Sequence, residues 1–327
     1  MTPLVRSKPL VTGALGALGA LAVVPTALGG NGGFAPVDPA SPTSERINDT
    51  YLYVAIFTGI ILLLVEGALI YFIWRYRRKR TAGLEDDAPQ IHGNTRLEVT
   101  WTVIPVVIVA AIGAFVFYEL PGISDVPPAT AAGGREDVLV KGYRYYWQFE
   151  YPNGAVAVDR MRVPAGTNVK LDITAPDFEV IHSWWIPRLN GKMDAIPGRV
   201  NTMWFRAERP GVYPGQCAEF CGLQHARMIA QVEALPQAEF DRWVADRARG
   251  EGLGEETFVG ACSKCHGVAG QGDIGPRLAG NTLLDDPEAV EEVVRNGRNE
   301  MPPVGKDWGE QQMEALTTYL REELGGG

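Results

Sequence analysis

Two runs of almost purely apolar residues decide what this chain can fold into. The first, Tyr51 to Trp74, holds 24 residues and a single charge, Glu66. The second, Val99 to Tyr118, holds 20 residues and no charge. A helix needs about 20 apolar residues to cross a hydrocarbon layer of roughly 30 Å. Both runs meet that length, and helices apolar all round are rare in the cores of soluble proteins. Tyr51, Tyr53, Trp74, Trp101 and Tyr118 stand near their ends, where amphipathic rings settle at headgroup level. Residues 75–98 between the runs carry six Lys/Arg, whereas residues 31–50 carry only Arg46. The positive-inside rule then puts the connecting loop in the cytoplasm and everything after Tyr118 outside. A third apolar stretch, Pro9 to Gly29, follows Arg6 and Lys8 and has the form of a secretory signal peptide, with an uncleaved third span as the alternative. Residues 1–40 are read as signal peptide or N-terminal extension, and 41–122 as a hairpin with spans 51–74 and 99–118.

With 327 residues, and about 100–200 residues per domain as a guide, two or three domains fit. The net charge of −9 argues against nucleic acid as a partner, because such proteins show a basic footprint on their folded part. Pro121 to Gly134, rich in Pro, Ala and Gly, reads as a linker. From Arg135 to about Glu233, short β-branched or aromatic runs alternate with turns: Val138-Leu-Val, Tyr145 to Tyr151, Pro152-Asn-Gly, Val169 to Ile173, Thr202 to Phe205. That spacing predicts an all-β sandwich or barrel over 135–235. Leu235 to Arg249 reads as helix, and Gly250-Glu-Gly-Leu-Gly as a hinge. Helical patterns around Glu255 to Cys262, Pro287 to Arg295 and Glu310 to Leu324 make 252–325 a small all-α domain. A domain of that size often needs a staple or cofactor.

The four cysteines, at 217, 221, 262 and 265, form two close pairs. Outside the cytoplasm a disulfide is the first alternative for any such pair. The string Cys217-Ala-Glu219-Phe-Cys221-Gly-Leu-Gln-His225-Ala-Arg-Met228 offers two thiolates, an imidazole and a thioether, a soft set suited to copper rather than magnesium or calcium. Zinc would have no use for Met228. A mononuclear blue-copper site needs one cysteine, not two.

These residues resemble the dinuclear copper site, CuA, of cytochrome oxidase subunit II. His182 stands 35 residues before Cys217, as that pattern requires. The resemblance extends through His182-Ser-Trp-Trp-Ile-Pro, Gly191 to Arg199 and the two-span hairpin, roughly residues 45–235. It implies a cupredoxin-like sandwich in which Cys217 and Cys221 bridge two coppers while His182 and His225 complete one each. Met228 would be a weak ligand to one copper, and Glu219 would offer its backbone carbonyl to the other. The Glu219 side chain would reach a magnesium shared with subunit I.

Cys262-Ser-Lys-Cys265-His266 is the attachment string of a c-type haem: two thioether links and an axial imidazole. A thioredoxin-like pair is its rival, without the βαβ context that it needs. The sixth ligand in such proteins is commonly Met. Met301, in the loop Asn299-Glu-Met301-Pro-Pro, can point into a crevice, whereas Met313 lies in an amphipathic helix, a core position. Gly275-Pro276-Arg-Leu278 adds a resemblance to the small class I cytochromes c.

Three further positions stand out. Glu98, three residues before Trp101, matches the subunit II glutamate that this family places at the cytoplasmic mouth of a proton pathway; an interfacial carboxylate is the plain reading. Glu66 inside the first span is costly to bury and so is a functional candidate, or faces a polar contact in subunit I. In Gly142-Tyr-Arg-Tyr145-Tyr146-Trp147, Tyr145 occupies the position where the family carries a Trp that admits electrons. His92 in the basic loop has the context of packing against subunit I.

The resemblance implies a multi-domain membrane protein: transmembrane hairpin, copper sandwich and cytochrome c domain. It implies the electron-entry subunit of a respiratory cytochrome c oxidase in the bacterial cytoplasmic membrane, with both redox domains on the outer side. Electrons would pass from haem c to CuA and on to subunit I, where oxygen is reduced to water and protons are translocated. Implied partners are subunits I and III, membrane lipid, and a quinol–cytochrome c reductase or a cytochrome c as donor. A nitrous-oxide reductase shares the CuA ligands but lacks the hairpin and needs a large propeller domain, and an exported copper carrier or a disulfide-stapled adhesion module would be colourless or hold a single copper.

Overall fold

The computed structural model describes residues 36–77, 90 and 92–325. The apolar stretch Pro9 to Gly29 and most of the basic loop lie outside the described residues. Helix α1 runs Pro42–Tyr76 and α2 runs Thr95–Ser124. Ser41 caps α1, and Pro42 sits in the first turn, where its missing N–H is no loss. Through the apolar runs both helices leave side chains such as Leu63, Trp74 and Phe117 exposed, a surface suited to lipid and neighbouring chains rather than water. Tyr53 stacks on Phe115 at 4.2 Å between ring centroids, and Arg46 pairs with Glu119 at 2.7 Å. That pair explains a difference from the sequence reading. Helix α2 does not stop at Pro121 but continues to Ser124, because its end is clamped onto α1 one turn earlier.

Ten strands follow: β1 Arg135–Tyr143, β2 Tyr146–Glu150, β3 Val156–Val158, β4 Arg160–Pro164, β5 Asn168–Thr174, β6 His182–Trp185, β7 Lys192–Ala195, β8 Asn201–Phe205, β9 Gly211–Cys217 and β10 Ile229–Leu235. They form two five-stranded sheets, ordered β3-β2-β1-β5-β8 and β4-β10-β9-β6-β7. In β10 every second residue, Ala230, Val232 and Ala234, is buried, the period a half-buried strand imposes. Trp184 sits edge-on to both Trp147 and Phe149, at 5.2 and 5.4 Å, and fixes the inter-sheet core. Tyr145 belongs to the turn between β1 and β2 rather than to a strand. The anchor is joined to this sandwich: Ser44 Oγ donates to the Arg188 carbonyl at 2.7 Å and Thr43 Oγ1 to that of Trp204 at 3.4 Å.

Helix α3, Gln237–Ala248, begins two residues later than its sequence pattern suggests, because Leu235 is still paired with Pro164 in the sheet. The C-terminal region is helical: α4 Leu253–Thr257, a wide turn Phe258–Cys262, α5 Ser263–His266, α6 Pro287–Asn296 and α7 Glu310–Tyr319. The glycine-rich stretch that reads as a hinge is a tight turn with Gly250 and Gly252 at positive φ. The helical domain does not hang from it. Its core of Phe258, Val294, Trp308 and Leu316 continues into Tyr143, Tyr146 and Val158 of the sandwich. Glu256 accepts from the Val158 N–H at 2.7 Å and from Arg162 and Arg247 at 2.8 and 2.6 Å.

At the centre of this seam, Trp308 Nε1 donates to the Tyr146 hydroxyl at 2.9 Å, which donates to the Val304 carbonyl at 2.6 Å. Tyr146→Phe keeps the ring stacked on Tyr143, 4.8 Å away, but orphans a buried indole N–H and a carbonyl. It is expected to destabilise the joined sandwich and helical domain by about 1–3 kcal/mol. Thermal unfolding followed by tryptophan fluorescence checks this; an unchanged transition would contradict it.

Candidate metal centre and adjoining cavity

Three separate segments bring the soft ligands together. β9 ends on Cys217, the turn His225–Arg227 and Met228 lead back into β10, and β6 opens on His182. Register does the rest: Trp184 pairs with Cys217 across β6 and β9, the Cys217 N–H donates to the Met228 carbonyl at 2.9 Å, and the Ala218 N–H to that of Ser183 at 2.8 Å. Cys217 Sγ lies 4.0 Å from His182 Nδ1 and 3.2 Å from the Glu219 carbonyl oxygen. Cys221 Sγ lies 3.6 Å from His225 Nδ1 and 3.8 Å from Met228 Sδ. The ligand atoms of His182, Cys217 and Cys221 all fall within 4.8 Å of one another. His182, both cysteines and Met228 are buried, and the cysteines are free thiols.

The electrostatics suit a cation. A hydrogen bond from the Cys221 thiol, aided by His182, pulls Cys217 well below the usual thiol range, while burial opposes it. Cys221 goes the other way, chiefly because its proton is held by the Cys217 sulfur. Burial lowers the basicity of His182, but the nearby Cys217 sulfur and the Glu179 carboxylate 3.9 Å away outweigh it and raise the net value. Two sulfurs, two imidazoles, a thioether and a carbonyl converging in a buried pocket fit copper and leave a hard cation poorly served. Glu219 itself is exposed and turned away from this pocket's interior.

A cavity of about 760 Å³ adjoins this loop. Cys262, Cys265, His266 and Met301 line one side; Arg144, Tyr145 and Leu223 contribute from the sandwich. The His266 Nδ1–H donates to the Pro276 carbonyl at 2.7 Å, which fixes the tautomer and leaves Nε2 as the ligand atom. Gly275 permits that approach, since a Cβ there would stand 2.9 Å from the His266 ring. Burial pushes the Cys262 thiol up to about 12 and raises Cys265 as well. Met313 is buried in the helical core and does not line the cavity. Two thiols, a tautomer-fixed imidazole and a thioether around one apolar cavity fit a covalently attached haem.

Other candidates fall elsewhere. Glu98 accepts from the Asn94 N–H at 3.1 Å while Asn94 Oδ1 accepts from the Leu97 N–H at 3.2 Å, a reciprocal cap at the start of α2. Glu66 and His92 are exposed. Sequence reasoning missed Arg144 and Leu223 as cavity walls. No local signal marks them, because the contact joins segments far apart in the chain. Tyr145 does meet the copper-type loop: its hydroxyl accepts from the Leu223 N–H at 3.1 Å.

Residues 31–118 match the family model "Cytochrome C oxidase subunit II, transmembrane domain", and 154–235 match "Cytochrome C oxidase subunit II, periplasmic domain". Residues 252–320 match "Cytochrome C oxidase, cbb3-type, subunit III". The chain is 32% identical over 314 residues to cytochrome c oxidase subunit 2 of Alkalihalophilus pseudofirmus, covering 87% of this chain and 89% of that one. It is 31% identical to the Cereibacter sphaeroides subunit 2, covering 64% and 78%. Among solved structures, the periplasmic domain of subunit II of cytochrome oxidase of Bradyrhizobium japonicum aligns at 30% identity and a TM-score of 0.35, over 38% of this chain and 97% of that one.

Cys217→Ser is expected to weaken copper binding, because it removes one of the two thiols of the buried ligand set. Metal analysis should show less copper per chain than in the wild type. Unchanged copper content with an unchanged visible spectrum in the variant would contradict the ligand set.

Proposed function

The chain belongs to the cytochrome c oxidase subunit II family, and on that premise we propose that it relays electrons from a covalently held haem c to a dinuclear copper centre and on to subunit I. Cys217, Cys221, His182 and His225 would hold the copper, with Met228 and the Glu219 carbonyl as the weaker ligands. When bound, a copper pair would take up and release one electron with little rearrangement. The chain's part is to hold the ligands still and keep water out. Three segments locked by strand register do the first, and burial of His182, Cys217, Cys221 and Met228 does the second.

The observation that supports this reading most directly is a shared wall. Leu223 lies within the ligand loop, between Cys221 and His225, and also lines the cavity that His266 faces. Tyr145 touches both, through its ring and its hydroxyl. We read Tyr145 as the electron-entry position, served from the fused cytochrome domain rather than from an external docking patch. Cys262 and Cys265 would hold the haem covalently, and His266 and Met301 would ligate its iron. The exposed Glu219 carboxylate is free to reach a magnesium completed by subunit I.

The hairpin anchors the chain in the bacterial cytoplasmic membrane, among lipid and alongside subunits I and III, with both redox domains on the outer side. A quinol–cytochrome c reductase or a cytochrome c supplies the electrons. Oxygen reduction and proton translocation belong to subunit I, and Glu98 would stand at the cytoplasmic mouth of a proton pathway.

Met301→Ala should leave the haem attached but remove its sixth ligand and shift its reduction potential. In the solubilised oxidase, the thioether-to-iron charge-transfer band is expected to vanish in this variant and to persist in Met313→Ala. The reverse pattern would give the ligand role to Met313. An oxidase lacking either a covalent c-type haem band or the absorption of a mixed-valence copper pair would contradict the relay itself.

A further inference from the structure

Lys264, the second of the two residues between Cys262 and Cys265, sends its ammonium across the seam between the domains. Its Nζ donates to the Tyr145 carbonyl at 2.8 Å and to Asp159 Oδ2. Asp159 lies between β3 and β4 and is one of two described non-glycine residues at positive φ, 59°. Aspartate tolerates that left-handed backbone better than most residues, and its surroundings hold it there. The Asp159 N–H donates to the Trp147 carbonyl at 2.8 Å, its carbonyl accepts from the Gln231 N–H at 3.0 Å, and Oδ1 accepts from the Trp147 N–H at 2.9 Å. The carboxylate is therefore aimed at the seam by three anchors in the sandwich. The Trp147 ring in turn packs edge-on to His182 at 6.0 Å.

Four residues before Lys264, Gly260 makes the approach possible: a Cβ there would collide with the Val158 side chain. The ion pair is largely sealed, with side-chain exposures of 11% for Lys264 and 16% for Asp159. Another ion pair between the same two domains is Arg227–Asp273 at 2.8 Å, with 53% and 43% exposure. Solvent screens that one, and it contributes little. Removing one partner of the sealed pair leaves a buried charge uncompensated, which is far more disruptive. Burial raises the Asp159 carboxyl above its ordinary range while Lys264 beside it pulls it back down.

We propose that Lys264 and Asp159 are positioning residues that lock the haem-attachment turn onto the copper-bearing sandwich, so that electrons cross without the cytochrome domain swinging. The proposal rests on the relay reading above. It goes beyond that reading in assigning to one buried ion pair the placement of the haem-attachment turn within the seam that Glu256, Tyr146 and Trp308 already hold.

The test uses the complete oxidase with the full chain, injecting one electron photochemically into haem c and following oxidation of the haem against reduction of the copper centre. The wild-type step should be a single exponential insensitive to solvent viscosity. In Lys264→Ala it should slow about tenfold, as expected if the attachment turn stays in place in only about a tenth of molecules, and become viscosity-dependent. Lys264→Arg should restore it. Asp159→Asn and Gly260→Ala, which leave the attachment string's cysteines and histidine untouched, should reproduce the loss if Lys264→Ala fails to assemble. Unchanged rates in Lys264→Ala and Asp159→Asn would overturn the proposal. So would a slowing that follows a measured shift in haem potential with no viscosity dependence, since that is a charge effect alone. Absence of haem-to-copper transfer in the wild type would instead sink the relay reading, and the proposal with it.

Discussion

The ligands of the copper-type site cannot come from one segment. His182 is 35 residues from Cys217, and the loop that follows Cys217 must fold back so that His225 and Met228 face the same point. Only a framework that fixes strand register can bring such distant atoms within hydrogen-bond range of one another, and the two-sheet sandwich is that framework. A slip of one residue between β6 and β9 would turn Cys217 to the opposite face. The inter-sheet packing of Trp184 against Trp147 and Phe149 resists that slip, so the core that stabilises the domain also sets the ligand geometry.

The same sandwich fixes the second site. Tyr143, Tyr146 and Val158 share a buried cluster with Phe258 and Trp308, and Glu256 gathers Arg162 from the sandwich and Arg247 from α3. Buried charge networks of this kind add little net stability, and their best-attested use is to specify one arrangement. Here that arrangement brings the ligand loop and the cavity to a common wall at Leu223. The anchor extends the same rigidity to the membrane end, where Ser44 and Thr43 bond to the sandwich and Arg46 clamps α2.

Much of this was legible in the sequence, and the reason is locality. Apolar runs of 24 and 20 residues, a twelve-residue string of soft ligands and a five-residue haem string each carry their meaning within a short window. What the sequence hides is non-local. The Gly250 to Gly254 stretch has the composition of a hinge, yet the seam formed by Glu256, Tyr146 and Trp308 removes its freedom. Pro121 marks a linker by local rules, but the Arg46–Glu119 pair extends the helix past it. Glu98 can be matched to a family position, while its contacts within this chain are those of a helix cap. Lys264 looks like a spacer between two cysteines because nothing in the string points to Asp159, 105 residues away.

On the proposed relay, one unit would hold a haem iron and a copper pair in a single fixed relation. Pulsed electron paramagnetic resonance on the oxidised complex reads the dipolar coupling between two such centres. One narrow distance distribution is expected. A broad distribution, or no coupling at all, would contradict it.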